Sequence, residues 1–268
     1  MLALRVIFYI EAIGNDKKAV ETSISEIEKK LKDEKITLHR LEKGDVIEVE
    51  EGPLKYSAML EVELEGEFGK VVELIMKYGP TLVELVDIKG TEINAKELME
   101  TLGKVSYFMG KLMKEFGGLA VYPSLEGIPE PRVGYSEDEI EEMILDEGMV
   151  RYQFVIKVYG NDYKELESNI KKALSLEGCR INKFVLQPQG EFEVNGKKRV
   201  EALVAAELLS TFETLFVLTA KYAPIGIAIV EPQIVEPSPS EIQNALSDLA
   251  ALINELVHRP LANLQFGE

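Results

Sequence analysis

Tryptophan is absent from this chain, cysteine occurs once and histidine twice in 268 residues. The single Cys179 rules out an internal disulfide, and no Cys-x-x-Cys or His-x-x-x-His spacing exists to hold zinc. Cys179 therefore reads as a small buried apolar residue, and His39 and His258, isolated from each other and from the cysteine, read as structural or surface groups. No apolar run reaches the roughly 18 residues that a membrane span requires. Met1 to Ile10 reads as a strand with no small-residue cleavage site after it, so no signal peptide is expected and the location is expected to be cytoplasmic. Basic charge is also scarce. Lys and Arg number 30 against 47 Asp and Glu, the net charge is −17 and the pI is near 4.7. A polyanion rewards clustered Lys and Arg, so neither nucleic acid nor a membrane surface is an expected partner. The short Lys197-Lys198-Arg199 run reads as a solvated strand edge. Scarce Asn, Gln and Cys beside abundant Glu and Lys resemble hyperthermophile usage.

Signatures of common enzymes are missing too. There is no Gly-x-Gly-x-x-Gly, no phosphate-cradling loop ending in Lys-Ser or Lys-Thr, no Gly-x-Ser-x-Gly and no His-Glu-x-x-His. No cofactor is expected.

What is present is written twice. Gly14-Asn15-Asp16 returns as Gly160-Asn161-Asp162, and Lys77-Tyr78-Gly79-Pro80 returns as Lys221-Tyr222-Ala223-Pro224. Phe8 falls on Phe154 at a shift of 146; from the second hairpin onward the shift is 144, placing Gly52 on Gly196, Glu63 on Glu207, Phe68 on Phe212 and Leu112 on Leu256. Self-similarity over such a span marks an internal repeat. The expected organisation is a first repeat over 1–116, a Gly/Pro-rich loop and acidic linker over 117–149, and a second repeat over 150–268.

Each repeat parses into the same elements. Arg5 to Ala12 and Arg151 to Tyr159 read as first strands, ended by Gly14 and Gly160. Asp16 and Asp162 can cap the helices that follow, with Ala19, Ile24, Ile27 and Leu31 on one face in the first copy. Second strands start at Ile36 and Ile181 and turn at Glu51-Gly52 and Asn195-Gly196 into third strands, Tyr56 to Leu64 and Val200 to Leu208. Second helices span Phe68 to Tyr78 and Phe212 to Tyr222, and fourth strands Leu82 to Ile88 and Ile225 to Val230. The order is βαββαβ, the ferredoxin-like split βαβ, so the expected class is α+β: an internal duplication of that unit, each copy followed by an extra C-terminal helix. Those third helices begin at Asn94 and Ser238 and carry long apolar stripes. Both alternation classes of the first and fourth strands contain apolar residues, so cover is expected on both faces, from the third helix or the other copy. Between the copies, Ser136 to Gly148 is acidic, and Ser136, Glu139, Ile140, Met143 and Ile144 predict a short capped amphipathic helix.

Two candidate sites follow. Glu61, Glu63 and Glu65 alternate along one strand and so share a face, as a divalent cation site would need; the competing reading is a solvated strand face, since Ala205 and Leu209 replace two of the three in the second copy. The repeated turn, Gly14, Asn15, Asp16 and Gly160, Asn161, Asp162, lies where backbone N–H groups at a helix start can receive an anion. Turn formation and capping account for the same residues. On this turn and the element order, the chain resembles a tandem pair of ACT-type regulatory modules, ferredoxin-like domains that often bind amino acids at this turn and associate through their sheets. The family commonly has an acidic residue followed by Pro-Gly there, where this chain has Ile13-Gly-Asn-Asp16 and Tyr159-Gly-Asn-Asp162.

The expected function is a non-catalytic module that binds a small molecule or a protein partner, with homodimerisation through exposed sheet edges. The alternative is an enzyme with an acidic site in a cleft between the repeats, lined by the glutamates and the Phe116 to Tyr135 loop.

Overall fold

The computed structural model describes residues 2–50, 54–119, 125–194 and 196–265, with the side chains of 260–265 excepted. The expected hairpin tip at Glu51-Gly52 and the Asn195 of its counterpart lie outside the described residues.

The elements in chain order are β1 (Ala3–Gly14), α1 (Lys17–Lys32), β2 (Thr37–Lys43), β3 (Ile47–Glu48), β4 (Tyr56–Glu67), α2 (Phe68–Tyr78), β5 (Leu82–Lys89), β6 (Ile93–Asn94), α3 (Ala95–Phe116) and α4 (Glu137–Leu145). They continue as β7 (Val150–Gly160), α5 (Tyr163–Leu176), β8 (Arg180–Val194), β9 (Lys197–Ser210), α6 (Phe212–Tyr222), β10 (Gly226–Glu231), β11 (Ile234–Val235) and α7 (Pro239–Gln265). The fold is α+β with antiparallel sheets. None of the described helices is long and apolar enough to cross a membrane.

Two compact units form, and neither follows chain order. Unit 1 is Met1–Glu92, Lys111–Leu119 and Ser238–Glu268; unit 2 is Ile93–Gly110 and Ala120–Pro237. Thus α7, the last helix of the chain, packs with the first sheet, and most of α3 packs with the second.

In unit 1 the sheet order is β2-β4-β1-β5, with β3 pairing the start of β4. The first two long strands run parallel with β4 inserted between them, which is split βαβ connectivity. Leu4, Val6, Phe8, Ile10 and Ala12 are buried against the helices, while the alternate residues of β1 are only partly covered. In α1 the buried residues are Val20, Ile24 and Leu31; Ala19, expected on that face, is exposed, because Val20 takes the position nearest the strand end. α7 buries Ile242, Leu246, Leu249, Ile253 and Leu256 and lies along β5 and α2. Its polar side chains close the open edge of β5. Gln243 Nε2 donates to the Val83 carbonyl at 2.8 Å, Gln243 Oε1 accepts from Leu85 N–H at 2.6 Å, and Asn254 Nδ2 donates to the Pro80 carbonyl at 2.8 Å. One glutamine amide therefore stands in for a neighbouring strand.

Unit 2 has the same order, β8-β9-β7-β10. Here α3 buries Leu98, Leu102, Val105 and Met109. Ile229 N–H meets Met99 Sδ at 3.2 Å, Ser106 Oγ donates to the Pro224 carbonyl at 2.6 Å, and β6 pairs with β11. Met99 and Gln243, Leu85 and Ile229, Pro80 and Pro224 are each pairs related by the 144-residue shift. The third helix of each repeat therefore meets the fourth strand of the other, α7 along the length of β5 and α3 at Ile229 of β10 through Met99.

Cover on both faces, expected along the whole of the first and fourth strands, is local. Leu82 and Val86 stay 47% exposed, whereas Val150, Arg151 and Tyr152 are consecutively buried. The helix over that second stretch is α4, whose Ile140 and Met143 form an apolar cluster with Met149 and Leu209.

Candidate binding site

The two repeated turns serve the fold. Asp16 Oδ1 accepts from Ala19 N–H at 2.8 Å, and Asp162 Oδ1 accepts from Lys164 and Glu165 N–H at 2.8 and 3.2 Å, so both are N-caps. Asn15 Oδ1 accepts from Lys55 N–H at 3.3 Å and Asn161 Oδ1 from Arg199 at 2.5 Å. A Cβ on Gly14 would lie 3.2 Å from Val20 Cγ2, and one on Gly160 3.1 Å from Leu166 Cδ1, so glycine lets each helix start against its strand. The side-chain acceptors of Asn15, Asp16, Asn161 and Asp162 are thus engaged within the chain.

The glutamates of β4 alternate with cations. Glu61 pairs with Arg40, Glu63 accepts from Arg5 Nε at 2.7 Å, and Glu65 lies 3.0 Å from His39 Nε2 and pairs with Lys89. Hydrogen bonds from Lys89 and His39 hold the Glu65 carboxyl below its ordinary range. Among the described residues no group of three or more His, Cys, Asp and Glu side chains converges as a metal ion would need.

The position of Glu63 recurs as Glu207, and there the surroundings are dry. Glu207 accepts from Arg151 at 2.8 and 2.9 Å, from Asn182 at 2.6 Å and from Lys183 at 3.0 Å. Burial pushes its carboxyl up, but these donors outweigh burial and hold it at about 2. Sequence reasoning matched Glu63 to Glu207 and overlooked that Arg5 and Arg151 are related by the 146-residue shift of the first strand. A second repeated clamp was also missed. Lys77 and Tyr78 donate to Glu34 at 2.5 and 2.9 Å, with Lys70 at 3.0 Å, and Lys221 pairs likewise with Glu177. The hydrogen bond from Lys77, opposed by burial and aided by Lys70 and Tyr78, holds Glu34 at about 2. The signal was the repeated Lys-Tyr pair itself; its partners lie at slightly different shifts, so the alignment hid them.

One concave feature of unit 2 is built by α4. Ser136 and Glu139 close the expected capping box, and Arg132 grips Glu139 through two bonds at 2.7 and 2.8 Å, which fixes where the helix starts. Ile140 and Met143 then anchor α4 on Leu209, the residue that replaces Glu65 in the second repeat. Glu137 Oε2 approaches Arg151 Nη1 at 3.2 Å and Glu231 Oε2 approaches it at 3.5 Å. Beside this contact lies a cavity of about 350 Å³ lined by Glu137, Ile140, Glu141, Ile144, Leu145, Glu231 and Pro232. Its walls are aliphatic and its charged groups are carboxylates.

The model of the MJ0538 family matches residues 5–263. The chain belongs to the MJ0538 family. A search of curated proteins found no match, nor did a search of solved structures. The MJ0538 span opens within β1 and closes within α7, so it takes in both sheets, both third helices and the α4 cavity. Of the cavity residues, sequence reasoning singled out Glu137, Ile140, Glu141 and Ile144 of α4 and passed over Leu145. It missed Glu231 and Pro232, which lie about 90 residues farther along and reach the helix only through the end of β10.

Proposed function

We propose that this MJ0538-family protein is a cytoplasmic, non-catalytic binding module whose second unit takes a small ligand beside α4. The observation that carries this reading is the α4 cavity: its volume, about 350 Å³, lies in the range of small-molecule sites, and it pairs aliphatic walls with a few polar groups. Three groups that acid–base or nucleophilic chemistry could use are held in other roles. Glu34 and Glu207 are each clamped by several donors, and burial pushes the Cys179 thiol up to about 12.

The sheet edges favour a small ligand over an added strand. β2 is irregular between Leu38 and Arg40, and β8 between Ile181 and Lys183 and again between Pro188 and Gly190, where Pro188 has no N–H to offer. Methyl NMR during a screen of amino acids, amines, nucleotides and metal ions tests the proposal. Ligand-induced shifts are expected at Ile140, Ile144 and Leu145. A hit whose shifts cluster instead at the Gly14 or Gly160 turn would move the site, and silence at all three methyl groups throughout the screen would end the proposal.

A further inference from the structure

We propose that the α4 cavity selects an aliphatic ammonium ion, its hydrocarbon chain against Ile140, Ile144, Leu145 and Pro232 and its charged head at the Glu137, Glu141 and Glu231 rim. This rests on the reading of the cavity as a ligand site and adds the chemistry of the ligand. Three observations favour a cation. The lining contains three carboxylates and no basic side chain. The nearest guanidinium, Arg151, already gives Nε and Nη2 to Glu207 at 2.9 and 2.8 Å, so what remains for Glu137 and Glu231 is Nη1 alone. Glu141 has no cation within ion-pair distance among the described residues, so the rim keeps uncompensated negative charge.

The walls decide the rest of the ligand. Leu145, which lines the cavity, is 72% exposed, and Ile144 is only partly covered. The three rim carboxylates do not converge as an inorganic cation would need, and such an ion would leave this surface wet. An alkyl chain carrying the charge would bury it, and removing apolar surface from water is favourable. An anion of the same length would meet like charges, and a neutral alcohol would leave the carboxylates unmatched.

The test is titration of the full chain with hexylammonium, hexanol and hexanoate, followed by the methyl resonances of Ile140, Ile144 and Leu145. Wild type is compared with Glu141→Gln, Glu231→Gln and, as a control in unit 1, Glu48→Gln. Hexylammonium is expected to shift the three methyl groups and to bind about tenfold more tightly than hexanol, with hexanoate silent. Each cavity variant is expected to weaken it about threefold to fivefold, with no change for Glu48→Gln. Equal weakening in all three variants, or none in the cavity pair, would mean general attraction to an acidic protein and would overturn the assignment. If hexanol or hexanoate shifts the same methyl groups as strongly, the cavity remains a ligand site and the ammonium assignment alone is wrong. If none of the three probes shifts them, the assignment is wrong, and the wider screen decides whether the cavity binds anything.

Discussion

Replacing Gln243 by Ala tests the helix exchange at one side chain. In the structure its amide makes two bonds to the β5 edge, to Leu85 N–H at 2.6 Å and to the Val83 carbonyl at 2.8 Å. Each such bond contributes about 1 kcal/mol net, so the variant should lose about 2 kcal/mol. That is a noticeable part of the 5 to 15 kcal/mol that usually separates folded from unfolded domains, and it corresponds to a Tm drop of about 5 to 10 °C. At about 1.4 kcal/mol per factor of ten, exchange of the Leu85 amide hydrogen should accelerate about 30-fold. Hydrogen exchange resolved by residue is the assay. The perturbed residue lies near the end of the chain, and the amide that responds lies more than 150 positions earlier. Gln243→Glu separates the two bonds: a carboxylate still accepts from Leu85 but cannot donate to Val83. It should keep Leu85 slow while still losing stability. If Gln243→Ala leaves Leu85 unchanged, or speeds Ile229 in β10 instead, α7 serves the sheet of its own repeat and the helices are not exchanged.

Inserting a protease site among residues 120–124 and cleaving it should leave the two fragments together on gel filtration, because each unit contains a segment from the other side of the cut; separation without denaturant would refute this. Acid should unfold the protein through Glu34 and Glu207, both held at about 2 from an ordinary 4.5. Since the folded pKa is the lower one, their contribution is complete above pH 4.5 and is lost as pH falls toward 2. It amounts to about 2 to 3 kcal/mol for each, discounted for the exposed lysine partners. Glu207→Gln should flatten the urea midpoint across that window, and an unchanged slope would count against the clamp. Ala223 caps α6 at φ 43°, the left-handed region, where Gly79 caps α2 at φ 54°. Ala223→Gly should therefore stabilise by about 1 kcal/mol in urea titration, and a loss of stability would show that the methyl group packs more than it strains.

The acidic linker shows how the two repeats come to differ. The second-repeat β9 carries Leu209 where the first-repeat β4 carries Glu65, and Leu209 gives Ile140 and Met143 of α4 an apolar surface to pack on. With α4 in place, the Arg151–Glu207 pair becomes buried, whereas Arg5 and Glu63 keep 37% and 13% side-chain exposure. Removal of one partner from the buried pair leaves a dry charge, so the second pair should be the more sensitive of the two.

The long elements and their order were legible in the sequence because they depend on neighbours along the chain, whereas the two-residue strands β3, β6 and β11 were not expected. α2 and α6 begin and end where Phe68, Phe212, Gly79-Pro80 and Ala223-Pro224 place them, and the Ser136–Glu139 capping box starts α4 as its spacing requires. The repeat itself carried the shared strand order, since equal patterns bury equal faces. The destination of the third helices was not legible. An apolar stripe says that α3 and α7 must be buried, and both fourth strands offer the same open edge, with Leu85 matching Ile229 and Pro80 matching Pro224. Each stripe fits either edge, so the pattern holds no preference and only the path of the chain through space assigns them. The cavity beside α4 was hidden for a related reason. Its acidic helix is local, but Glu231 and Pro232 join it only where β10 ends, and a cavity is a property of surfaces that meet, which no stretch of sequence contains alone.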